Sequence, residues 1–184
     1  MQDPATVSGN ASDDIKQFLV DPLLSFNTLI EGKYRTTFAD GVVNRITIDE
    51  ASLSQQGHSH SKEARVICSI RVAEDMIDGA GILHGGCSAL LVDLCSTLAM
   101  AALQMYITGK PVVTVSQAMN VVFHAPADLG EDLRIINTSV TTGKRVVSAK
   151  TEIWSVTHRR ILVSGVHVKM TPTRKPRAVV TSKL

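Results

Sequence analysis

The longest apolar run in the chain, residues 86–108, predicts its central helix. The run contains no Pro, Lys or Arg, and its one acid is Asp93. Apolar side chains fall on every side of a helix here, whereas a surface helix would carry a polar stripe. A helix of this kind is buried in a large core or crosses a membrane. Because Asp93 is unfavourable near the middle of a membrane span and strand-like segments flank the run, we expect a helix wrapped by a sheet.

Segments in which apolar and polar residues alternate lie on both sides of this run and predict six strands. A period of two is typical of half-buried strands. Two strands precede the helix, at residues 42–54 and 64–72. Four follow it, at residues 112–123, 133–142, 146–155 and 161–170, and hairpin-length connections join the last three. We therefore predict an α+β fold in which the four C-terminal strands form an antiparallel meander.

The two ends of the chain carry weaker patterns. Residues 1–13 are polar and are predicted to be disordered. Ser12, Asp13 and Asp14 form a helix-start signal, and a short helix is expected to follow on the outside of the domain, bent near Pro22. The predicted organisation is an N-terminal tail with a short helix at residues 1–40, one domain at 41–171 and a flexible tail at 172–184.

The composition argues against several classes of function. A net charge of +2 and an aromatic content of 4% do not suit a nucleic-acid-binding surface. Cys68, Cys87 and Cys95 form no CxxC pair, which favours reduced, packed thiols. His58 and His60 lie in a polar loop without a nearby Cys or pair of acids, so they make a weak metal site. No metal or other cofactor is predicted.

His84, Gly85 and Gly86 lie at the predicted start of the helix and are the first candidates for chemistry. A helix N-terminus offers unpaired NH groups and the positive end of a dipole. Glycine permits close approach, so this turn suits a developing negative charge. A carboxylate inside an apolar helix is costly unless it has a use, which makes Asp93 a candidate base or nucleophile. The structural alternatives are a turn that only caps the helix and an Asp93 that only bonds to a nearby hydroxyl.

Three stretches together resemble a known family. They are DGAGILHGGCSALLVD at residues 78–93, SQAMN at 116–120 and APADLGED at 125–132. With Asp93 nine positions after His84, they resemble the hotdog-fold acyl-CoA thioesterases of the PaaI-like and thioesterase-superfamily-member type, over about residues 42–172. The resemblance implies a hotdog fold, which is an antiparallel sheet of about six strands wrapped round one long central helix. It also implies hydrolysis of an acyl-CoA to a free acid and coenzyme A without a cofactor.

The resemblance implies a role for each matching residue. The backbone NH of Gly85 would bind the thioester carbonyl, Asp93 would activate water or attack the carbonyl, and Ser116 would help to place the water. His84 would shape the turn and support the site. Sites in this family form between two subunits of a dimer, and dimers commonly pair into tetramers. The residues expected near coenzyme A are Gly86, Phe123, His124, Ala125, Lys144 and Arg145.

Asp78 departs from the family pattern, in which Asn most often occupies the position six residues before the His of the HGG turn. The amide there would orient the thioester or the water, whereas a carboxylate would be repelled by Asp93 unless one of the two held a proton. Asp-Gly is also a common turn pair, so Asp78 could serve the turn alone. This departure keeps open a non-catalytic acyl-CoA-binding module. A hotdog hydratase or dehydratase is a third alternative, although His84 in its Gly turn fits that chemistry poorly.

The last three residues, Ser182, Lys183 and Leu184, form the tripeptide that directs import into peroxisomes. A basic stretch containing Pro precedes them, which suits an accessible tail. They predict a peroxisomal import receptor as a partner and the peroxisomal matrix as the location, in keeping with a place in lipid metabolism. If the native chain does not end here, the expected location is the cytoplasm.

Overall fold

The computed structural model describes residues 2–21, 38–55, 62–143 and 145–172. His58, His60, Lys144 and the C-terminal tripeptide therefore lie outside the described residues. The described helices are α1 (Asp13–Leu19), α2 (Asp40–Val43) and α3 (Gly85–Thr108). The strands are β1 (Thr47–Gln55), β2 (Lys62–Arg71), β3 (Val115–Phe123), β4 (Asp132–Thr142), β5 (Val146–Ser155) and β6 (Arg160–Met170).

The six strands form one antiparallel sheet in the order β1-β2-β4-β5-β6-β3. This arrangement confirms the predicted α+β fold of six strands and one long helix. The predicted meander of four strands is wrong in one respect, because β3 pairs with β6 and β4 pairs with β2. The helix α3 separates β2 from β3 along the chain and delivers β3 to the far edge of the sheet, so sequence neighbours β3 and β4 end up apart.

The helix α3 forms where its apolar run predicts, and both of its ends have a local cause. His84 has extended backbone angles at the N-cap, and its ring Nδ1 accepts a hydrogen bond from the Gly86 NH at 2.9 Å. Gly109 ends the helix with a φ of +73°, a left-handed conformation that glycine adopts without strain. The helix is long and apolar enough to cross a bilayer, yet more than half of its most apolar window is buried inside this fold. Its core side chains pack against the sheet.

Two predictions about the N-terminal part of the chain are wrong. The predicted strand at 42–54 begins only at Thr47, because Asp40–Val43 form the short helix α2 instead. Residues 2–12 are not disordered, since they lie along β1. The Ser8 NH donates to the Asp49 carbonyl, and the Ala51 NH donates to the Ser8 carbonyl, both at 3.0 Å. The predicted short helix is present as α1, with Ile15 and Leu19 buried.

Side-chain amides explain why a polar segment is ordered there. The Gln2 amide accepts from the Ile48 NH at 2.9 Å and donates to the Ile48 carbonyl at 2.7 Å. The Asn10 amide likewise accepts from the Leu53 NH at 2.7 Å and donates to the Leu53 carbonyl at 2.9 Å. Each amide thus satisfies both backbone groups of one residue on β1. A search for apolar periodicity does not detect this kind of order.

Candidate active site

The turn that leads into α3 is fixed by Asp78. One of its carboxylate oxygens, Oδ1, accepts from the Ala80 NH at 2.8 Å and lies 3.4 Å from the Ile82 NH. The Asp78 NH donates to the Ile82 carbonyl at 2.8 Å. An acid or an amide oxygen can accept these bonds, which is the usual way in which Asp and Asn stabilise turns. The structure therefore gives Asp78 a role within the turn.

The two glycines after His84 differ in whether their backbone NH already donates a hydrogen bond. The Gly86 NH already donates to the His84 ring. The Gly85 NH is the first amide of the helix, where backbone donors lack an acceptor within the helix. The Phe123 ring lies 3.6 Å from the position that a Cβ of Gly85 would occupy. Gly85 is therefore the amide suited to an external acceptor, and Phe123 borders it.

Asp93 meets residues from two strands on the inner side of the sheet. Its Oδ1 lies 3.4 Å from the Ser116 hydroxyl and 3.5 Å from His167 Nε2. The side chain is 42% exposed, so it is accessible and not enclosed in the core of this chain. Its second oxygen accepts no hydrogen bond from the part of the chain that the structure describes. Asp93 thus has one oxygen held by the fold and one that faces outward.

A β-bulge places Ser116 next to this carboxylate. The register of β3 against β6 shifts between Ser116 and Ala118, so Gln117 is an extra residue. Ser116 is opposite Lys169, which is buried, and Ala118 is opposite Val168. Side chains alternate between faces along a strand, and an extra residue reverses that alternation. Without the bulge, Ser116 would point away from the helix.

His167 and Lys169 belong to this cluster, although the sequence did not assign either of them to the catalytic group. His167 is fully buried, and its Nε2 lies 3.0 Å from the Ser116 hydroxyl. Its Nδ1 lies 2.8 Å from the Ser96 hydroxyl. Lys169 lies 3.4 Å from the same Ser116 hydroxyl. The alternation of β6 was the available signal, since it puts residues 165, 167 and 169 on one buried face.

Burial and charge shift the pKa of both new residues downwards. Burial lowers the pKa of His167, the Lys169 charge lowers it further, and Asp93 opposes the change. Burial also lowers the pKa of Lys169, and Asp93 again opposes the change. His167 is therefore held neutral, which leaves it one NH donor and one acceptor nitrogen.

The predicted site residues fall into two groups within one chain. Gly85 and Phe123 are at the start of α3, whereas Asp93 and Ser116 are two turns further along. Gly85 and Asp93 are eight residues apart on the helix, which is about 12 Å along its axis. One chain therefore does not bring the Gly85 amide and the Asp93 carboxylate into contact with the same small group.

The residues predicted to lie near coenzyme A are divided in the same way. The His124 and Ala125 amides both donate to the Leu162 carbonyl, at 2.8 and 3.2 Å, which fixes them beside Phe123. Arg145 is exposed and adjoins the other end of β6, where Val146 is opposite Met170. Phe123 is opposite Val163, so about 23 Å of strand separates these two places. Lys144, the other predicted contact, lies outside the described residues.

One group of side chains in the described residues has the spacing of metal ligands. Asp128, Glu131 and His158 have ligand atoms within 4.8 Å of one another. Both oxygens of Glu131 are already hydrogen-bonded, by the Ser155 hydroxyl at 2.5 Å and the Asp128 NH at 2.9 Å. Burial acts to raise the pKa of Glu131, but these bonds and nearby cationic groups outweigh it and lower the pKa. These contacts give the group a structural role, which is to hold the loop between β3 and β4 in place.

Comparison with known proteins agrees with this architecture. The family model of the thioesterase superfamily matches residues 80–162. Acyl-coenzyme A thioesterase 13 of Homo sapiens is 33% identical over 105 residues, which are 57% of this chain and 71% of that protein. The chain therefore belongs to the thioesterase superfamily, a family of thioester hydrolases, and the resemblance drawn from the sequence is confirmed.

Solved structures support the hotdog fold. Thioesterase superfamily member 2 of Mus musculus has a TM-score of 0.63 at 24% identity, with 88% of this chain and 99% of that chain covered. A hypothetical thioesterase protein of Streptococcus pneumoniae, solved with coenzyme A, has a TM-score of 0.55 at 15% identity, with 71% of this chain and 88% of that chain covered. At these identities the structural likeness bears on the fold alone.

Proposed function

We propose that this chain hydrolyses acyl-CoA thioesters to a free carboxylic acid and coenzyme A. The observation that carries the proposal is the Asp93 carboxylate, held on one side by Ser116 and His167 and open on the other. The human relative is an acyl-coenzyme A thioesterase, and the Streptococcus pneumoniae relative was solved with coenzyme A. Both names support the substrate class, and neither identifies the acyl group.

The reaction needs a donor for the carbonyl oxygen, and we assign that role to the Gly85 NH. Attack on a thioester carbonyl places negative charge on its oxygen. The Gly85 amide is the first donor of a 24-residue helix and has no acceptor within that helix, so it can contribute a hydrogen bond and the positive end of the helix dipole. Donors that are already oriented for this charge typically lower the barrier by about 3–4 kcal/mol each. His84 supports the turn by binding the neighbouring amide.

Asp93 supplies the base or the nucleophile. As a base, its outward oxygen takes a proton from the water that attacks the carbonyl, the C–S bond then breaks, and the proton passes to the departing coenzyme A thiolate. As a nucleophile, it attacks the carbonyl and displaces the coenzyme A thiolate, and water then hydrolyses the mixed anhydride to the free acid and regenerates the carboxylate. Ser116 holds the inner oxygen and so sets the direction of the outer one, which places the water. The same contacts suit both routes.

A complete site requires a second copy of the chain. The side chains of β3 are almost all exposed, including Val115, Met119, Val122 and Phe123, and β3 is an edge strand. Antiparallel pairing of β3 with its own copy would place the Ser116 end of one strand beside the Phe123 end of the other. The Gly85 turn of the partner subunit, which adjoins Phe123, would then approach Asp93. Two equivalent sites per dimer follow, and pairing of dimers would give the tetramer that the family resemblance implies.

Coenzyme A would lie along the same junction. Phe123, His124 and Ala125 of one subunit border the Gly85 turn, while Arg145 adjoins the opposite end of β6, near the Asp93 group. The proposed pairing brings these ends together between subunits. We therefore propose that Arg145 contacts the phosphates of coenzyme A. The same contact by Lys144 stays a prediction from the sequence.

Asp78 favours one alternative, a binding module without turnover. A carboxylate at this turn offers no hydrogen-bond donor to a thioester unless it is protonated. Calorimetric binding of an acyl-CoA without release of free thiol would select this function. Loss of water from a hydroxyacyl thioester would instead select a hotdog dehydratase.

We also propose a location in the peroxisomal matrix, on the strength of Ser182, Lys183 and Leu184. The test is a full-length fluorescent fusion with a free C-terminus. Punctate signal that becomes diffuse on removal of Leu184 would support the proposal, and diffuse signal in both would contradict it.

The central experiment is a panel of short, medium, long and aromatic acyl-CoAs assayed by thiol release. Asp93→Asn keeps the shape of the side chain and removes its charge, and we expect kcat to fall about 10²–10⁴-fold, the usual contribution of such a group. Asp14→Asn, an exposed acid at the start of α1, is the matched control and should leave kcat unchanged. Wild-type kcat in Asp93→Asn would remove the assigned role.

A further inference from the structure

Lys169 is buried, and no carboxylate of the described residues forms an ion pair with its ammonium. Its side chain is 8% exposed, and its ammonium donates to the Thr97 hydroxyl at 3.2 Å and the Ser116 hydroxyl at 3.4 Å. Burial of an ammonium among neutral groups is unfavourable, and an apolar side chain of the same length would fit better. The negative charge that acts on it is Asp93, on the far side of Ser116. Stability of the fold therefore does not explain why a lysine occupies position 169.

The distances around Thr97, Ser96 and His167 indicate which group donates in each of the surrounding hydrogen bonds. The Thr97 hydroxyl donates to the Asp93 backbone carbonyl at 2.7 Å, closer than the 3.2 Å from the Ser96 hydroxyl to that carbonyl. The Ser96 hydroxyl lies nearer to His167 Nδ1, at 2.8 Å, and His167 Nε2 faces the Asp93 carboxylate at 3.5 Å, which can only accept; we therefore assign the Ser96 proton to Nδ1. A neutral His167 then carries its proton on Nε2 and donates to Ser116 at 3.0 Å.

The Ser116 hydroxyl is thereby left with one direction for its own proton. A hydroxyl oxygen accepts two hydrogen bonds and donates one. His167 and Lys169 supply the two it accepts. Its proton then points to Asp93 Oδ1 at 3.4 Å. Without Lys169, one lone pair of Ser116 would be free, and the hydroxyl could turn away from the carboxylate.

We propose that Lys169 is a positioning residue that keeps the Ser116 proton on Asp93 and balances the charge of that carboxylate. The proposal rests on the proposed function, because it assigns Lys169 to the same site. Lys169 touches neither substrate nor reacting atoms; it acts through Ser116. The outward oxygen of Asp93 is thus kept in one orientation for attack.

Kinetics separate this role from a purely structural one. Lys169→Met keeps the apolar stem and removes the charge, and we expect kcat to fall about 10–100-fold, as for loss of a supporting group at a reactive centre, with KM changed less than about two-fold. Lys150→Met is the matched control, because Lys150 is an exposed lysine on the neighbouring strand β5. It should leave both constants unchanged. Equal kcat in Lys169→Met and wild type would overturn the proposal.

The pH profile gives a second readout. The titratable groups that face Lys169 are Asp93 of α3 and His167 of β6; β3 and β5 present Ser116 and Val147. Because burial lowers the pKa of Lys169, kcat/KM should fall on the alkaline side before an ordinary lysine would titrate. Lys169→Arg keeps the charge and does not titrate in this range, so the alkaline fall should disappear. An unchanged alkaline fall in Lys169→Arg would contradict the proposal.

Thermal unfolding tests the contact without any substrate. Asp93→Asn leaves the Lys169 charge uncompensated and should lower Tm, whereas adding Lys169→Met should restore most of the loss. Additive changes in Tm would overturn the coupling. If no acyl-CoA in the panel releases thiol, the proposed function fails while this cycle still decides the Lys169 contact. If thiol is released and Lys169→Met retains full kcat, only the positioning role fails.

Discussion

Gly165 lets the central helix approach β6, and adding one methyl group there should disturb both stability and catalysis. A Cβ at Gly165 would lie 2.8 Å from Cγ1 of Val92 and 3.1 Å from the Asn120 carbonyl. Ordinary van der Waals contact begins at 3.4 Å, so Val92 would have to withdraw by about 0.6 Å. Val92 cannot avoid the contact by rotating, because a β-branched side chain in a helix has one strongly preferred rotamer.

The size of the effect follows from this displacement. Overpacking by one methyl group in a well-packed core costs about 1–3 kcal/mol, and about 1 kcal/mol corresponds to 2–4 °C of Tm in a protein of this size. We therefore expect Gly165→Ala to lower Tm by roughly 2–12 °C. Asp93 follows Val92 on the helix, and a misplacement of about 1 Å can cost about 10²-fold in rate. A shift of about 0.6 Å should lower kcat by roughly 3–30-fold.

The assay combines thermal unfolding with thiol release from an acyl-CoA. Gly79→Ala is the control for stability, because nothing lies within 4 Å of its added Cβ and its φ is not positive. Val92→Ala in the Gly165→Ala background makes room for the new methyl, so the two losses of stability should be less than additive. A Gly165→Ala protein with unchanged Tm, or losses that simply add, would refute the argument that Val92 sets the helix position.

Three further outcomes are expected. Asp78→Asn keeps the turn acceptor used by Ala80 and adds a donor, so kcat should rise about ten-fold or more; an unchanged kcat would show that this donor does not limit the rate. The folded state depresses the pKa of His167, so the unfolded chain binds more protons and wild type loses stability as pH falls below about 6.5. The urea midpoints measured at pH 8 and pH 5 should differ less in His167→Gln than in wild type. An equal difference between the two pH values in both proteins would contradict this. Asn10→Ala removes two bonds to Leu53 and should cost about 1–3 kcal/mol, with faster hydrogen exchange at the Leu53 amide; unchanged exchange would argue against the contact.

The hydrophobic pattern predicted the secondary structure of the domain well, because the continuous apolar run of the helix and the period of two of the strands both reflect burial. The run at 86–108 became Gly85–Thr108, and five of the six strands lie within three residues of their predicted starts. The strand predicted at residues 42–54 begins five residues later than predicted, at Thr47. Val42 and Val43 are buried on a turn of helix instead, and a short apolar run looks alike in both states. Strand pairing was not available from periodicity, since nothing in β3 distinguishes β4 from β6 as its neighbour.

Those parts of the candidate site that depend on a short stretch of sequence could be predicted. The HGG turn and the lone acid could be recognised along the sequence. His167 and Lys169 could not be assigned in the same way, because they lie 51 and 53 residues beyond Ser116 and approach it only through the pairing of β6 with β3. The bulge at Gln117 likewise depends on how β3 meets β6. Gly85 and Asp93 are about 12 Å apart because they are eight residues apart on one continuous helix.

The amides of Gln2 and Asn10 cover the outer edge of β1, and this has a consequence for how copies of the chain can associate. An edge strand whose backbone groups are occupied is a poor template for another strand. Growth of the sheet by strand pairing is then confined to β3. The proposed twofold pairing through β3 would use that edge in both molecules, so association of this kind would stop at two chains and would not extend into a filament.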